Sequence, residues 1–286
     1  MKKTIFPLVM VFIATTFAMC TTKEKKEIGL QLYSVRDAMK EAPVETVKSV
    51  GAMGYTFVEA AGYGDGKFYG MEPKEFKSLV EESGMIFLSS HTGQALPDSA
   101  NWDSTMAWWD QCIEAHSAAG VKYIVQPWMG EKGYNSLEGL KQYCEYFNEV
   151  GKRCRENGII FGYHNHDGEF AELEGEVIYD FMLQNTNPEN VFFQLDLYWI
   201  KEGGKNAVDY FNNYPGRFLH LHVKDEKELG ASGEMDFESS FAMADKAGVD
   251  YLIVEVEKYD FDPLVSVEKS LEFLQNADFV RNSYSE

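Results

Sequence analysis

The stretch "SLEGLKQYCEYFNEVGKRCRENGIIFGYHNH" (136–166) joins an amphipathic segment to a short apolar run. Apolar residues recur at helical spacing from Leu137 to Val150, which predicts a helix with one face in a core. Gly158 follows as a helix stop, and the next residues are rich in β-branched and aromatic types, which favours a strand. We therefore predict a helix, a glycine turn and a buried strand.

The same pattern recurs along the chain. Eight apolar runs have the length of buried strands, and amphipathic segments separate them. The runs lie at 28–35, 55–61, 85–91, 121–128, 159–166, 191–199, 217–225 and 251–257. Eight strand–helix alternations predict a single (β/α)8 TIM barrel, which we place at residues 27–286. A doubly wound sheet is the alternative, but it usually carries a glycine-rich phosphate loop that this sequence lacks.

The N-terminus predicts export. Two lysines precede an apolar run that ends directly before Cys20, as in a bacterial lipoprotein signal. We expect residues 1–19 to be a cleaved signal peptide, Cys20 to carry the lipid, and residues 20–26 to be a tether. A plain secretory signal is the alternative. The expected location is periplasmic or outer-membrane associated, with the membrane contacted only through this anchor.

Net charge and cysteines narrow the function classes. The formal charge of −20 disfavours nucleic acid, because phosphate backbones are bound by Lys and Arg. Besides Cys20, the chain has three cysteines: Cys112, Cys144 and Cys154. Cys144 and Cys154 lie too far apart on one helix to pair. We expect buried free thiols.

Polar residues stand near the ends of the predicted strands, where TIM barrels place their sites. His164, Asp196, His222 and Glu255 follow one another at intervals of about one βα unit, so they can converge on one point. Such nitrogen and oxygen donors suit a divalent cation. Buried ion pairs along the strands are the alternative.

These residues belong to motifs that resemble a known family. The motifs are IGLQLYSVRD (28–37), FYGMEPKEF (68–76), GYHNHDGEF (162–170), FQLDLYW (193–199), GRFLHLHVKD (216–225) and YLIVEVE (251–257). Over residues 27–278 the chain resembles the xylose isomerase-like TIM-barrel superfamily, in its sugar isomerase and epimerase branch. The DNA-repair endonuclease branch of that superfamily needs a basic face, which the charge argues against.

The resemblance implies one metal ion, with Mn²⁺ ahead of Mg²⁺, Zn²⁺ and Co²⁺, held by Glu, Asp, His and Glu. Asp196, His222 and Glu255 match the last three positions. The first position departs from the pattern, because His164 replaces the glutamate or its task passes to Glu169.

We assign roles on this basis. The predicted metal ligands are His164, Asp196, His222 and Glu255. The predicted catalytic groups are Glu169, His166 and Glu255. The predicted substrate-binding residues are Gln31, His91, Trp128, Lys224 and Glu257. A solvated loop acid is the alternative for Glu169, since other acids surround it.

The expected reaction is isomerisation or epimerisation of a sugar or keto-sugar. A base removes a proton next to a carbonyl, and an enediolate forms. The first alternative is a metal-dependent lyase that acts on 3-keto-glycosides with the same site. The second is a sugar-binding lipoprotein without catalysis. Export favours a free sugar or an oxidised glycoside over a sugar phosphate.

Overall fold

A computed structural model describes residues 25–285. Eight parallel strands close into a barrel, in which each strand pairs with the strands before and after it and the last pairs with the first. The strands are β1 (Ile28–Gln31), β2 (Phe57–Ala60), β3 (Ile86–His91), β4 (Tyr123–Gln126), β5 (Ile160–His164), β6 (Val191–Asp196), β7 (His220–Val223) and β8 (Tyr251–Val254). The predicted TIM barrel is confirmed, and the doubly wound sheet is excluded.

Helices surround the barrel. They are α1 (Arg36–Glu41), α2 (Pro43–Met53), α3 (Pro73–Glu82), α4 (Trp102–Ala119), α5 (Lys132–Asn135), α6 (Leu137–Glu156), α7 (Ile178–Asn185), α8 (Leu197–Glu202), α9 (Ala207–Asn213), α10 (Phe237–Ala242), α11 (Ala244–Ala247) and α12 (Pro263–Asn276). Short 3-10 turns occupy Leu32–Val35 and Gly168–Phe170. Small hairpins pair Tyr63–Gly64 with Lys67–Phe68 and Glu172–Leu173 with Glu176–Val177.

Helix α6 shows why the pattern folds as predicted. The Ser136 side chain accepts a hydrogen bond from the Gly139 amide at 3.1 Å, which satisfies one free N–H of the first turn. Apolar residues of α6 are buried against the barrel. Gly158 has a φ of +75°, a left-handed conformation that costs glycine little. The chain then turns directly into β5.

The barrel interior divides into an apolar floor and a polar upper layer. The floor is a separate hydrophobic cluster formed by Phe57, Leu88, Tyr123, Val125, Phe192 and Ile253. A larger cluster fills the space between strands and helices. Most buried polar groups of the interior lie toward the C-terminal ends of the strands, whereas His220 begins β7 and packs against the rings of Tyr123 and Phe192 in the floor. The fold therefore places the polar site at the C-terminal face of the barrel.

The predicted signal peptide (1–19) and Cys20 lie outside the described residues. Lys26, assigned to the tether, is buried, and its Nζ donates to the carbonyls of Leu274 and Ala277. Cys112, Cys144 and Cys154 are buried free thiols, as predicted. Across residues 25–285, no helix has the length and apolar character that a membrane span requires.

Candidate metal centre

Four side chains converge at the top of the barrel. His164, Asp196, His222 and Glu255 are buried, and each offers a ligand atom within 4.8 Å of the others. His164 and Asp196 end β5 and β6, while β6 and β7 pair in a register that sets Asp196 beside His222. Glu255 follows β8 directly. The structure brings together the four residues that we predicted as metal ligands, and we call them the ligand cluster.

Glu59 lies beneath the ligand cluster and collects hydrogen bonds from several strands. Its carboxylate accepts from Gln31 Nε2 at 2.8 Å, Ser89 Oγ at 2.6 Å, Gln194 Nε2 at 2.9 Å and His222 Nε2 at 2.8 Å. His91 Nε2 lies 2.9 Å away. Burial alone would raise the pKa of Glu59, but His91 and His222 outweigh it and hold the pKa well below the usual range. Glu59 is therefore an ionised acceptor.

The two imidazoles of the ligand cluster are oriented by these partners. His222 donates through Nε2 to Glu59, so Nδ1 faces Glu255 at 3.4 Å. His164 donates through Nδ1 to Gln194 Oε1 at 3.1 Å, so its Nε2 remains as a ligand atom. Metal-binding histidines commonly donate their second ring N–H in this way. Burial, together with the neighbouring histidines, lowers the pKa of His164, which favours the neutral imidazole that a metal needs.

The hydrogen bonding of Asp196 leaves one carboxylate oxygen free for a cation. Its Oδ1 accepts from the amides of Tyr198 and Trp199, each at 2.8 Å, and so caps helix α8. Its Oδ2 is buried and has no hydrogen-bond partner among the described residues. An unsatisfied buried carboxylate oxygen is costly. Two imidazoles and two carboxylates also match the donors that Mn²⁺, Co²⁺ and Zn²⁺ accept. The residues present therefore fit a divalent cation.

The pKa shifts in the ligand cluster also indicate a site for a cation. Burial raises the pKa of Asp196, because a carboxylate loses its water there. Burial would lower the pKa of His222, but Glu255 and Glu59 raise it to about 10. The cluster thus favours positive charge at its centre.

A cavity of about 480 Å³ opens above the ligand cluster. His164 and Glu255 line its base, with His91 and His166 beside them. Tyr33 and Trp128 line its walls and keep 44% and 42% of their surface exposed. Flat aromatic rings beside polar groups at the bottom of the cavity suit the apolar faces and hydroxyls of a sugar. We call this cavity the reaction compartment.

Lys224 is a buried cation beside the reaction compartment. Its Nζ lies 2.9 Å from Glu257 Oε2 and 5.6 Å from the Trp199 ring centroid. Burial would lower the pKa of Lys224, but Glu255 and Asp196 outweigh it and raise the pKa. Lys224 therefore stays charged.

The predicted substrate-binding residues divide into two groups. His91, Trp128 and Glu257 line the reaction compartment, and Lys224 reaches it through its ion pair with Glu257. Gln31 does not line it. Its Nε2 donates to Glu59, and its Oε1 accepts from the Tyr33 amide at 3.0 Å. Gln31 therefore supports the site from below.

The predicted catalytic groups also divide. His166 and Glu255 line the reaction compartment. Glu169 lies elsewhere: its carboxylate accepts from the hydroxyls of Tyr134 at 2.5 Å and Tyr163 at 2.6 Å, and from the His166 amide at 2.9 Å. Glu169 is fully buried, so the alternative of a solvated loop acid is wrong. The structure does not bring Glu169 into the ligand cluster.

Three supporting residues received no role from the sequence. Gln194 forms hydrogen bonds with both Glu59 and His164. Asn165 Oδ1 accepts a hydrogen bond from the Asp196 amide at 3.1 Å. Strand parity could have found Gln194, because residues two apart on a strand face the same side and Asp196 faces inward. The only sequence feature that could have identified Glu59 as part of the site is its position near a strand end.

Comparisons with known proteins agree with the barrel fold. A family model described as xylose isomerase-like TIM barrel matches residues 47–277. A solved sugar phosphate isomerase/epimerase from Parabacteroides distasonis ATCC 8503 is 31% identical, with a TM-score of 0.84 over 90% of this chain and 100% of that one. The inosose dehydratase of Lacticaseibacillus casei is 29% identical over 216 residues, which is 70% of each chain.

A solved L-ribulose 3-epimerase has a TM-score of 0.71 at 12% identity, over 87% of this chain and 93% of that one, and shares the fold alone. The family match covers most of the chain, and the more similar relatives carry the names of sugar-converting enzymes. The chain is an enzyme that belongs to the xylose isomerase-like TIM barrel family.

Proposed function

We propose that this enzyme removes the proton next to the carbonyl of a keto-sugar or keto-cyclitol. The observation that carries the proposal is the buried ligand cluster, with the unpartnered Asp196 Oδ2, at the base of the reaction compartment. Isomerisation, epimerisation and β-elimination all begin by removing such a proton. The relatives' names, isomerase/epimerase and dehydratase, fall within these three outcomes.

His164, Asp196, His222 and Glu255 would hold the cation, for which we propose Mn²⁺, with Co²⁺, Zn²⁺ and Mg²⁺ as alternatives. A bound divalent cation supplies Lewis acidity that makes the proton beside a substrate carbonyl easier to remove. Glu59 and Gln194 fix both imidazoles, which keeps the donor atoms in place.

Two groups of this chain are placed to move the proton. Glu255 lies at the bottom of the reaction compartment and His166 at its side. We assign Glu255 as the base and His166 as the group that returns a proton or delivers one to a leaving group. Glu169 becomes a positioning residue, because its contact with the His166 amide fixes the loop that carries His166.

The ligand cluster favours elimination among the three outcomes. The resemblance implies two glutamates for a proton shuttle, but His164 stands in the place of one of them. Epimerisation by a two-glutamate shuttle needs carboxylates on both faces of the reacting carbon, and the ligand cluster holds one glutamate, Glu255. Elimination needs one base and one proton donor: the C–H electron pair forms the new double bond, and the leaving oxygen takes the C–O pair and a proton. We therefore propose lyase activity on a keto-glycoside or keto-cyclitol, with isomerase or epimerase activity second.

Proton exchange tests this function. Protein loaded with Mn²⁺, and chelator-treated protein as control, are incubated in D2O with an inosose, a 3-keto-glucoside and a ketohexose. NMR should show deuterium at the carbon beside the carbonyl in at least one substrate, only with the cation. A vinylic signal identifies elimination. If no substrate exchanges its proton while the metal remains bound, the proposal fails and the sugar-binding alternative gains support.

We also propose that the protein is exported and anchored by lipid at Cys20. The two lysines, the apolar run and the cysteine motivate this proposal. Mass spectrometry of the native N-terminus should find a lipidated Cys20 as the first residue. An intact Met1, or cleavage at another position, contradicts it.

A further inference from the structure

A second cavity adjoins the reaction compartment. It measures about 400 Å³ and shares Tyr33 and Ala61 with the reaction compartment as lining residues. Arg36, Lys40 and Tyr69 line only the second cavity. We call this cavity the outer compartment. The two volumes are similar, so the polar face of the barrel offers two neighbouring spaces of ring size.

Tyr33 stands between the two compartments as a fixed platform. The Arg36 guanidinium lies 4.7 Å from the Tyr33 ring centroid. That guanidinium donates to the Tyr259 hydroxyl at 2.6 Å and to the Tyr33 carbonyl at 3.2 Å. The Tyr33 ring is held from the Arg36 side while 44% of the residue stays exposed. An exposed, immobilised aromatic ring is suited to stacking on a ligand ring.

Tyr69 forms another wall of the outer compartment and is held in place by its neighbours. Tyr69 has a φ of +49°, in the left-handed region, and its hydroxyl accepts from the Ala61 amide at 2.8 Å. Its ring passes so close to Gly62 that a Cβ at Gly62 would meet it at 2.3 Å. Bulky residues adopt this conformation only where their surroundings enforce it, often at ligand sites.

The two compartments differ in charge. Among the described residues, the lining of the reaction compartment includes Glu255 and Glu257 but no Lys or Arg. The lining of the outer compartment includes Arg36 and Lys40 but no acid. Guanidinium and ammonium groups donate hydrogen bonds to ligand oxygens. In a chain of charge −20, this contrast marks the outer compartment as a distinct binding region.

We propose that the two compartments form one site for a two-ring substrate. The ring that carries the carbonyl lies over the ligand cluster. The second ring lies beside the exposed part of Tyr33 in the outer compartment, where Arg36 and Lys40 donate to its oxygens. The substrate class is therefore a two-ring glycoside rather than a free monosaccharide. The identity of the reacting ring rests on the proposed function, whereas the two-ring binding does not.

Calorimetry on the wild-type protein tests the two-ring binding with unreactive probes. Methyl β-glucoside supplies one ring and cellobiose, used as its methyl β-glycoside, supplies two. Neither probe then has a free aldehyde or a ring ketone. We expect cellobiose to bind at least about tenfold more tightly. Equal affinities, or tighter binding of methyl β-glucoside, overturn the proposal.

Variants locate the second ring. Lys40→Ala should weaken cellobiose binding and leave methyl β-glucoside binding unchanged. Arg36→Ala should weaken cellobiose binding more than methyl β-glucoside binding, because Arg36 also holds Tyr33, which both compartments share. Lys48→Ala, an exposed lysine of helix α2 outside both compartments, is the matched control. Thermal melts check that each variant folds. Unchanged cellobiose affinity in folded Arg36 and Lys40 variants overturns the proposal. Tight cellobiose binding without proton exchange on any keto-sugar instead fails the proposed function alone.

Discussion

Replacing Asp196 with asparagine is expected to weaken metal binding by more than about 100-fold, beyond the loss seen when only a supporting partner is removed. Proton exchange should fall with the metal. The asparagine side chain keeps an oxygen that can accept from the amides of Tyr198 and Trp199, so helix α8 remains capped. It loses the carboxylate charge, and an amide nitrogen without a lone pair for a cation takes the place of Oδ2.

Asp196→Ala is the comparison that separates the two roles of Asp196. This variant loses both the ligand and the cap, and cap removal alone costs about 1 kcal/mol of stability. Elemental analysis should therefore show metal loss in both variants. Thermal melts in the presence of chelator should show a lower melting temperature for the alanine variant than for the asparagine variant. Full metal content and normal exchange in Asp196→Asn contradict the assignment.

The second large effect is expected from Glu59→Gln. Side chains from β1, β3, β6 and β7 donate to or contact this carboxylate. A glutamine side chain has one acceptor oxygen and presents an NH2 to groups that are themselves donors. Metal affinity should fall by about 10- to 100-fold, the usual cost of losing a partner that orients a ligand. Stability should fall by about 3 kcal/mol, as when a buried charge pair loses one member.

Ser89→Ala controls for the loss of a single hydrogen bond to Glu59. It should cost about 1 kcal/mol and leave metal affinity close to that of the wild type. Titration with Mn²⁺ and denaturant unfolding measure both quantities. If Glu59→Gln behaves like Ser89→Ala, Glu59 does not orient the ligand cluster.

The sequence predicts the barrel well because buried parallel strands are continuous apolar runs. It predicts strand ends less well, and polar side chains explain why. The run at 28–35 is a strand only to Gln31, because the Gln31 side chain accepts the Tyr33 amide and a 3-10 turn begins. The run at 191–199 stops at Asp196, whose side chain caps helix α8. A hydrophobic pattern carries no information on these local hydrogen bonds.

The ligand cluster was predictable because its members repeat with the βα unit. The place of Glu169 was not, since it depends on Tyr134 from helix α5, a contact made only in the folded barrel. Tyr163 and His164 face opposite sides of β5, and Glu169 follows Tyr163 outward rather than His164 inward. Glu59 was likewise hidden, because its importance arises from partners on other strands.

Anomalous X-ray diffraction from crystals of Mn²⁺-loaded protein tests the central claim most directly. We expect one peak in the anomalous map, within coordination distance of donor atoms of His164, Asp196, His222 and Glu255. Glu169 should not be among the ligands. A crystal without a peak at this point, or with the ion bound to Glu169, contradicts the account.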